Sequence, residues 1–286
     1  HRSRPPPPPP DLRVQGEELE ALKAGLWNGM GLMSLFAIPN LMRMQDMNEE
    51  VADHVRDRVR EMVRDPEVAE RLVPRGYAIG AKRPCVDTDY YETFNRGNVR
   101  LVDLRETPIE TITETGIRTA EGEADFDVIV FATGFDAMTG ALLKMDIRGR
   151  GGLSLRDAWA EGPKTYLGLM VSGFPNLFTV TGPGSPSVLS NMITSIEQQI
   201  DWISGAIGWA DGRQVRTLEA DSAAQEAWVA HVNEVAEGSL YLDAASWYMG
   251  ANVPGKPRVF MPYIGEGYTV RIDEVAARDY EGFRAD

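Results

Sequence analysis

The stretch F-D-V-I-V-F-A-T-G-F-D-A-M-T-G, residues 126–140, decides the reading of this chain. Phe126–Ala132 is apolar except for Asp127, with no alternation of polar and apolar positions. A strand with one wet face alternates, whereas one covered on both faces does not, so the run points to an α/β fold. Thr133-Gly134 punctuates its end. Upstream, Asn98–Asp103 reads as a second buried strand. Ile109–Thr113 and Ile117–Thr119 flank Thr115-Gly116, which predicts a hairpin. Downstream, Leu177–Thr181 reads as a shorter strand. Ser195–Gly208 and Ser222–Val235 have the spacing of amphipathic helices. Residues from Trp247 to Phe260 include Gly250, Pro254, Gly255 and Pro257, the composition of an ordered loop.

The amino-terminal part has a different texture. Residues 11–46 read as largely helical, with Leu19, Leu22 and Leu26 on one side and Pro39 ending or kinking a helix. Asn48 is the expected cap of the next helix, in which Val51, Val55, Val59, Met62 and Val63 recur at helical spacing. Glu49, Asp53, Arg56, Arg58 and Glu61 form its solvated face. Pro66 opens a further short helix. No repeat of solenoid period is visible.

Composition excludes several functions. The 286 residues carry a net charge of -14, which argues against nucleic acid and against an anionic membrane surface. The single cysteine, Cys85, precludes an internal disulfide, and His1, His54 and His231 have no metal-ligand spacing. No apolar run approaches the roughly 18 residues of a membrane span, and no signal peptide is recognised. A cytoplasmic protein is expected. The chain starts at His1 and runs into Pro5–Pro10, a stiff polyproline spacer. That start reads as a cut from something longer, or as a linker.

The motifs taken singly are ambiguous. Gly29-x-Gly31-x-x-Ser34 has dinucleotide spacing but no preceding strand, so it is read as chance. Gly182-Pro183-Gly184-Ser185-Pro186-Ser187 follows a strand-like run, yet its prolines lack the amide donors of a phosphate cradle. A structural turn and a cofactor loop both remain open. Lys82-Arg83 is a surface basic pair or an anion site. Trp247 and Tyr248 are core aromatics or part of a site. A complete GxGxxG is absent.

Taken in order, the segments are more specific. KRPCVDTDYYETFNRGN (82–98), LVD (101–103), FATGFDAMTG (131–140), DIRG (146–149), GPKTYLGL (162–169), GFPNL (173–177), GPGSPSVLSN (182–191), SIEQQ (195–199) and SWYMGANVPGKPRVF (246–260) are collinear. In this order and spacing they resemble Baeyer–Villiger monooxygenases, class B flavoproteins, of the cyclohexanone and phenylacetone monooxygenase type, with the phenylacetone type nearest. The resemblance covers residues 45–286 and is weak over 1–44.

That resemblance implies the C-terminal half of a flavoprotein with two dinucleotide-binding, Rossmann-like domains and a helical insertion. Residues 1–80 would be the insertion. Residues 81–135 would complete the NADPH domain and its linker, and 136–286 the FAD domain with a wall of the substrate site. It implies FAD and NADPH as cofactors and a ketone and O2 as substrates, giving esters or lactones. Arg83 matches the active-site arginine that stabilises a flavin C4a-peroxide, a role suited to a side chain that cannot surrender its proton. Lys82 matches the contact to the 2′-phosphate of NADPH. Trp247 matches a tryptophan against the nicotinamide cofactor on a mobile loop. Ser187, Val188 and Leu189 match a pocket-shaping segment, and Met192 a residue beside the flavin. Both GxGxxG loops, the FxGxxxHxxxW signature and the acidic partner of the arginine are missing, as a contiguous half. A missing N-terminal half is therefore the implied partner, and the chain alone is expected to be inactive. Competing readings are an N- or S-oxidising class B monooxygenase and a non-catalytic binding module.

Overall fold

A computed structural model describes residue 9, residues 11–29 and residues 32–286. The proline run apart from Pro9, and Gly31 of the first glycine pattern, lie outside the described residues. The chain divides between Gly134 and Phe135 into two compact units.

The first unit opens with helices α1 (Glu17–Trp27), α2 (Leu32–Leu35), α3 (Gln45–Met62), α4 (Pro66–Leu72) and α5 (Tyr90–Thr93). Residues 36–44 are turns and irregular chain rather than helix. The α3 pattern buries Met47, Val51 and Val59, and Val59 and Val63 pack on Ala69 and Val73 to join α3 to α4. The opposite face is laced by Arg56 with Asp53 (2.8 Å), Arg60 with Asp57 (2.8 Å) and Arg58 with Glu61 (2.7 Å). Such exposed pairs contribute only ~0.3–0.5 kcal/mol each. At α4 the Asp65 carboxylate accepts from the amides of Glu67 (2.9 Å) and Val68 (3.3 Å), with Pro66 in the first turn.

Asn48 is not a cap. Helix α3 starts three residues earlier, and Asn48 is fully buried inside it. Its Nδ2 donates to the carbonyls of Leu41 (3.2 Å) and Ile79 (3.1 Å), while Oδ1 accepts from the Ile79 amide (2.8 Å). Capping and tertiary bridging draw on the same side-chain chemistry. Here the bridge holds Ile79, at the foot of the Lys82-Arg83 segment.

The expected hairpin is present as β1 (Ile109–Ile112) and β2 (Gly116–Thr119), extended by β3 (Gly122–Asp125) into an antiparallel sheet of order β1-β2-β3. The third strand, Gly-Glu-Ala-Asp, carries no strand-forming side chain and forms because β2 offers a free edge after a tight turn.

Two predicted strands are corrected. Phe126–Ala132 belongs to no strand, and it is not buried: Val128 is 75%, Val130 80% and Phe131 69% exposed. Asn98–Asp103 likewise joins no sheet, with Val102 exposed and Leu101 half-buried. The cause is common to both. A strand exists only as a member of a ladder, and no neighbouring strand among the described residues presents itself to these two.

The second unit contains α6 (Gly140–Lys144), α7 (Leu155–Ala158), α8 (Met192–Gly212), β4 (Leu218–Ala220), α9 (Ser222–Ala236), α10 (Tyr268–Ala277) and β5 (Phe283–Ala285), with β4 and β5 antiparallel. Its core gathers Leu169, Met170, Trp202, Trp228, Tyr263 and Ile272. Helices α8 and α9 occur where periodicity predicts them. Leu177–Thr181 is not a strand: only Phe178 pairs, in an isolated bridge to Met170, and Thr181 turns to φ 51°. Both units therefore mix helix and sheet, and every ladder among the described residues is antiparallel.

Candidate active-site segments

Segment 181–192 is held by hydrogen bonds from several elements of the second unit. Thr165 Oγ1 donates to the Pro183 carbonyl (2.6 Å) and Trp228 Nε1 to the Gly184 carbonyl (3.0 Å). The Gly184 amide donates to Met261 O (2.6 Å), and the Tyr263 amide to Ser185 O (2.7 Å). With the Gly184 and Ser185 amides donating to Met261 O and Gly182 O and prolines at 183 and 186, this loop is tied into the protein as a structural turn. Gly168 is required beneath it: its φ is +73°, and a Cβ there would meet Ser185 at 2.6 Å.

The turn delivers Ser187–Leu189, one turn of 3-10 helix, to the start of α8. Ser187 is buried, while Val188, Leu189 and Met192 are half-buried. Asn191 caps α8, its side chain accepting from Thr194 N (3.3 Å). Ser190 Oγ donates to Ser187 O (2.7 Å) and lies 2.7 Å from Ser195 Oγ. The predicted pocket residues Ser187, Val188, Leu189 and Met192 thus sit on one continuous, ordered segment.

Two non-glycine residues of this stretch hold left-handed backbone: Thr181 (φ 51°) and Ser187 (φ 44°). For β-branched Thr181 this is a strained conformation, which persists only when its surroundings over-determine it. Fully buried Gln199 supplies that restraint. Its Oε1 accepts from Thr181 N (2.5 Å), and its Nε2 donates to Tyr268 Oη (3.1 Å), which donates to Leu167 O (2.7 Å). Burial pushes the Tyr268 phenol far above its usual pKa, so it stays a donor at any working pH. Sequence reading missed both residues, although a glutamine on the apolar side of a predicted helix was a usable signal.

Trp247 opens a loop of its own. Ser246 Oγ accepts from the Tyr248 amide (3.3 Å), and the half-buried Trp247 ring stands edge-on to buried Tyr248 at 4.5 Å and 61°. Farther along, Asn252 Nδ2 donates to Phe135 O (2.8 Å), and Lys256 Nζ pairs with Asp136 and donates to Ala137 O (3.0 Å).

Lys82 and Arg83 belong to the first unit, just after Gly80 (φ +93°), and both are exposed. Lys82 Nζ sits 4.4 Å over the Tyr77 ring, a cation–π contact that orients its ammonium. The residues expected to form the site are therefore divided: Lys82 and Arg83 on one unit, Ser187, Val188, Leu189, Met192 and Trp247 on the other. Cys85 is exposed. His231 is accounted for by Tyr263 Oη at 3.2 Å within an aromatic cluster.

Elsewhere in the first unit, an open depression of about 520 Å³ is lined by Pro66, Glu70, Arg71, Asp103 and Arg105. Most of its charges are paired: Asp103 with Arg105 (2.5 Å), Glu70 with Arg60 (2.6 Å) and Arg71 with Glu106 (3.3 Å). The Arg105 guanidinium, with the Arg105 amide, lowers the Asp103 carboxyl from 3.8 to about 2. No cluster of metal-ligating side chains occurs among the described residues, and no described helix is long and apolar enough to cross a membrane.

No family model matches the chain. It is 43% identical over 239 residues to a phenazine N-monooxygenase of Lysobacter antibioticus, covering 82% of this chain and 43% of that protein. It is 42% identical over 260 residues to an acetone monooxygenase (methyl acetate-forming) of Gordonia sp., covering 90% and 49%. Among solved structures, an oxidized steroid monooxygenase bound to NADP superposes with a TM-score of 0.88 at 45% identity, over 100% of this chain and 53% of that one. A closed cyclohexanone monooxygenase gives 0.90 at 38% identity, over 96% and 52%. A complex of OTEMO with FAD and NADP gives 0.82 at 40%, over 86% and 46%. The chain spans about half the length of the curated relatives it matches.

Proposed function

We propose that this chain, which belongs to the Baeyer–Villiger monooxygenase family over the half of those enzymes that it spans, supplies the carboxy-terminal half of an FAD- and NADPH-dependent oxygenase. That enzyme inserts one atom of O2 beside a ketone carbonyl, giving an ester or lactone, and releases the other as water at the expense of NADPH. The observation that carries the reading is the run 126–131, apolar but for Asp127, in no ladder and largely exposed, with Val130 at 80%. A run apolar on both sides is made for the interior of a covered parallel sheet. In this reading it and residues 98–103 complete a Rossmann-like NADPH domain whose remaining strands lie in the other half.

The residues present fit the cofactors in part. Lys82 and Arg83 are adjacent exposed cations, one already oriented by Tyr77, which suits the phosphates of NADPH. The glycine loop that would grip the FAD pyrophosphate is not in this chain. When bound, flavin activates O2 with electrons taken from NADPH. The chain's own residues do the rest. Arg83 holds a permanent positive charge against the oxyanion that develops on the ketone oxygen. Lys82 selects the 2′-phosphate. Ser187, Val188, Leu189 and Met192 wall the ketone, and their fixed backbone sets its approach. Trp247 packs on the nicotinamide and excludes water.

The test is co-production with the flavin-binding half of a similar monooxygenase, followed by NADPH-driven product analysis with cyclohexanone. Lactone formation is expected, and Arg83→Ala should abolish it; lactone made by that variant overturns the role. Lys82→Ala should collapse the preference for NADPH over NADH. The 43% identity to a phenazine N-monooxygenase supports a second reading, nitrogen oxidation at the same site. Phenazine oxidised in place of the ketone would select it. Failure of the assembled pair to bind FAD would favour a non-catalytic module.

A further inference from the structure

We infer that Lys256 and Asn252 are positioning residues that fasten the Trp247 loop to the crossover between the two units, so that the loop and the crossover order together. The crossover is the segment after Gly134, where the chain passes from one unit to the other. Asn252 Nδ2 donates to Phe135 O at 2.8 Å. Lys256 Nζ donates to Ala137 O at 3.0 Å and pairs with Asp136. The Lys256 side chain is only 9% exposed, so its charge is committed to this contact.

The receiving segment is shaped for it. Asp136 lies against Gly140, where a Cβ would meet its side chain at 2.5 Å, so any other residue there would push the carboxylate away. Met138 adopts φ 67°, and its sulfur lies 3.7 Å from Ser187 Oγ. The crossover thus touches the Trp247 loop on one side and the segment that opens α8 on the other. Gly250, at φ +72° with the Pro257 carbonyl 3.0 Å from a would-be Cβ, folds the loop back so that Trp247 and Lys256 share one compact unit. Displacing residues 135–137 therefore carries Asn252 and Lys256 with them. Pulling on Trp247 is transmitted in the opposite direction. Naming NADPH as the molecule that Trp247 meets rests on the proposed function; the mechanical link does not.

Amide hydrogen exchange on the intact chain tests the link. Lys256→Met should speed exchange at 247–253 and at 135–138 together by about tenfold or more, leaving helix α9 unchanged. Acceleration of only one segment, or of neither, overturns the inference. Asn252→Ala and Asp136→Asn are milder variants that should accelerate the same two segments if Lys256→Met does not fold. In the enzyme assembled with its flavin half, Lys256→Met should raise KM for NADPH with FAD content unchanged. A raised KM for ketone alone would contradict the assigned role even with the exchange result in hand. Coupled exchange without any NADPH effect would refute the positioning role while leaving the contact itself intact.

Discussion

Replacing Gln199 by leucine isolates the restraint on the strained Thr181 backbone. Leucine matches glutamine in bulk, so packing is nearly conserved at a site that is fully buried. What disappears is the acceptor for the Thr181 amide and the donor to the Tyr268 hydroxyl. A partly buried amide left without an acceptor costs ~1–3 kcal/mol, and the lost Gln199–Tyr268 bond ~1 kcal/mol. The apolar side chain offsets part of this, about 1 kcal/mol. The expected loss is about 2 kcal/mol, which for a unit of this size lowers the melting temperature by roughly 4–8 °C. Thermal melts of the intact chain, followed by near-ultraviolet circular dichroism, measure it. Tyr268→Phe is the companion: it removes the hydroxyl between Gln199 and Leu167 but leaves Thr181 tied. It should destabilise comparably while the 181–189 amides keep their exchange protection, which Gln199→Leu should erode. A Gln199→Leu protein that melts with the parent, its 181–189 amides still protected, would refute the reasoning.

Two more outcomes follow from described contacts. Val128→Lys with Val130→Lys charges an apolar surface that is 75% and 80% exposed, and should lower the light scattering of the concentrated chain relative to the parent and, under the proposed function, prevent pairing with a flavin half. The Asp103 carboxyl should titrate by NMR near its value of about 2 rather than 3.8. A carboxyl lowered in the folded chain adds stability above the unfolded value and loses it as pH falls toward 2, and Arg105→Ala should return the midpoint toward 3.8.

Sequence carried a good share of this. Helices α8 and α9 follow the 3.6-residue period, Pro66 opens α4, and Thr115-Gly116 turns the hairpin. The segment proposed to wall the pocket was quotable as a motif because its residues are contiguous, from the 3-10 turn at Ser187 into α8. Exposure of 126–131 was not legible, because periodicity states what a segment requires and not whether its neighbours are supplied. Asn48 was misplaced because an amide side chain serves a helix start and a tertiary bridge equally well. The Lys256–Asp136 pair joins residues 120 positions apart, a separation at which nothing local marks one as the partner of the other.

Under the proposed function, the bare run at 126–131 sets a race for this polypeptide. Meeting a flavin half and meeting another copy of itself are both bimolecular, so the outcome turns on relative concentrations and on how soon each half is made. If the halves are made as one polypeptide, the first meeting becomes intramolecular and its effective concentration no longer falls on dilution. A split system must instead keep the flavin half in excess, or shield the run until the sheet closes over it.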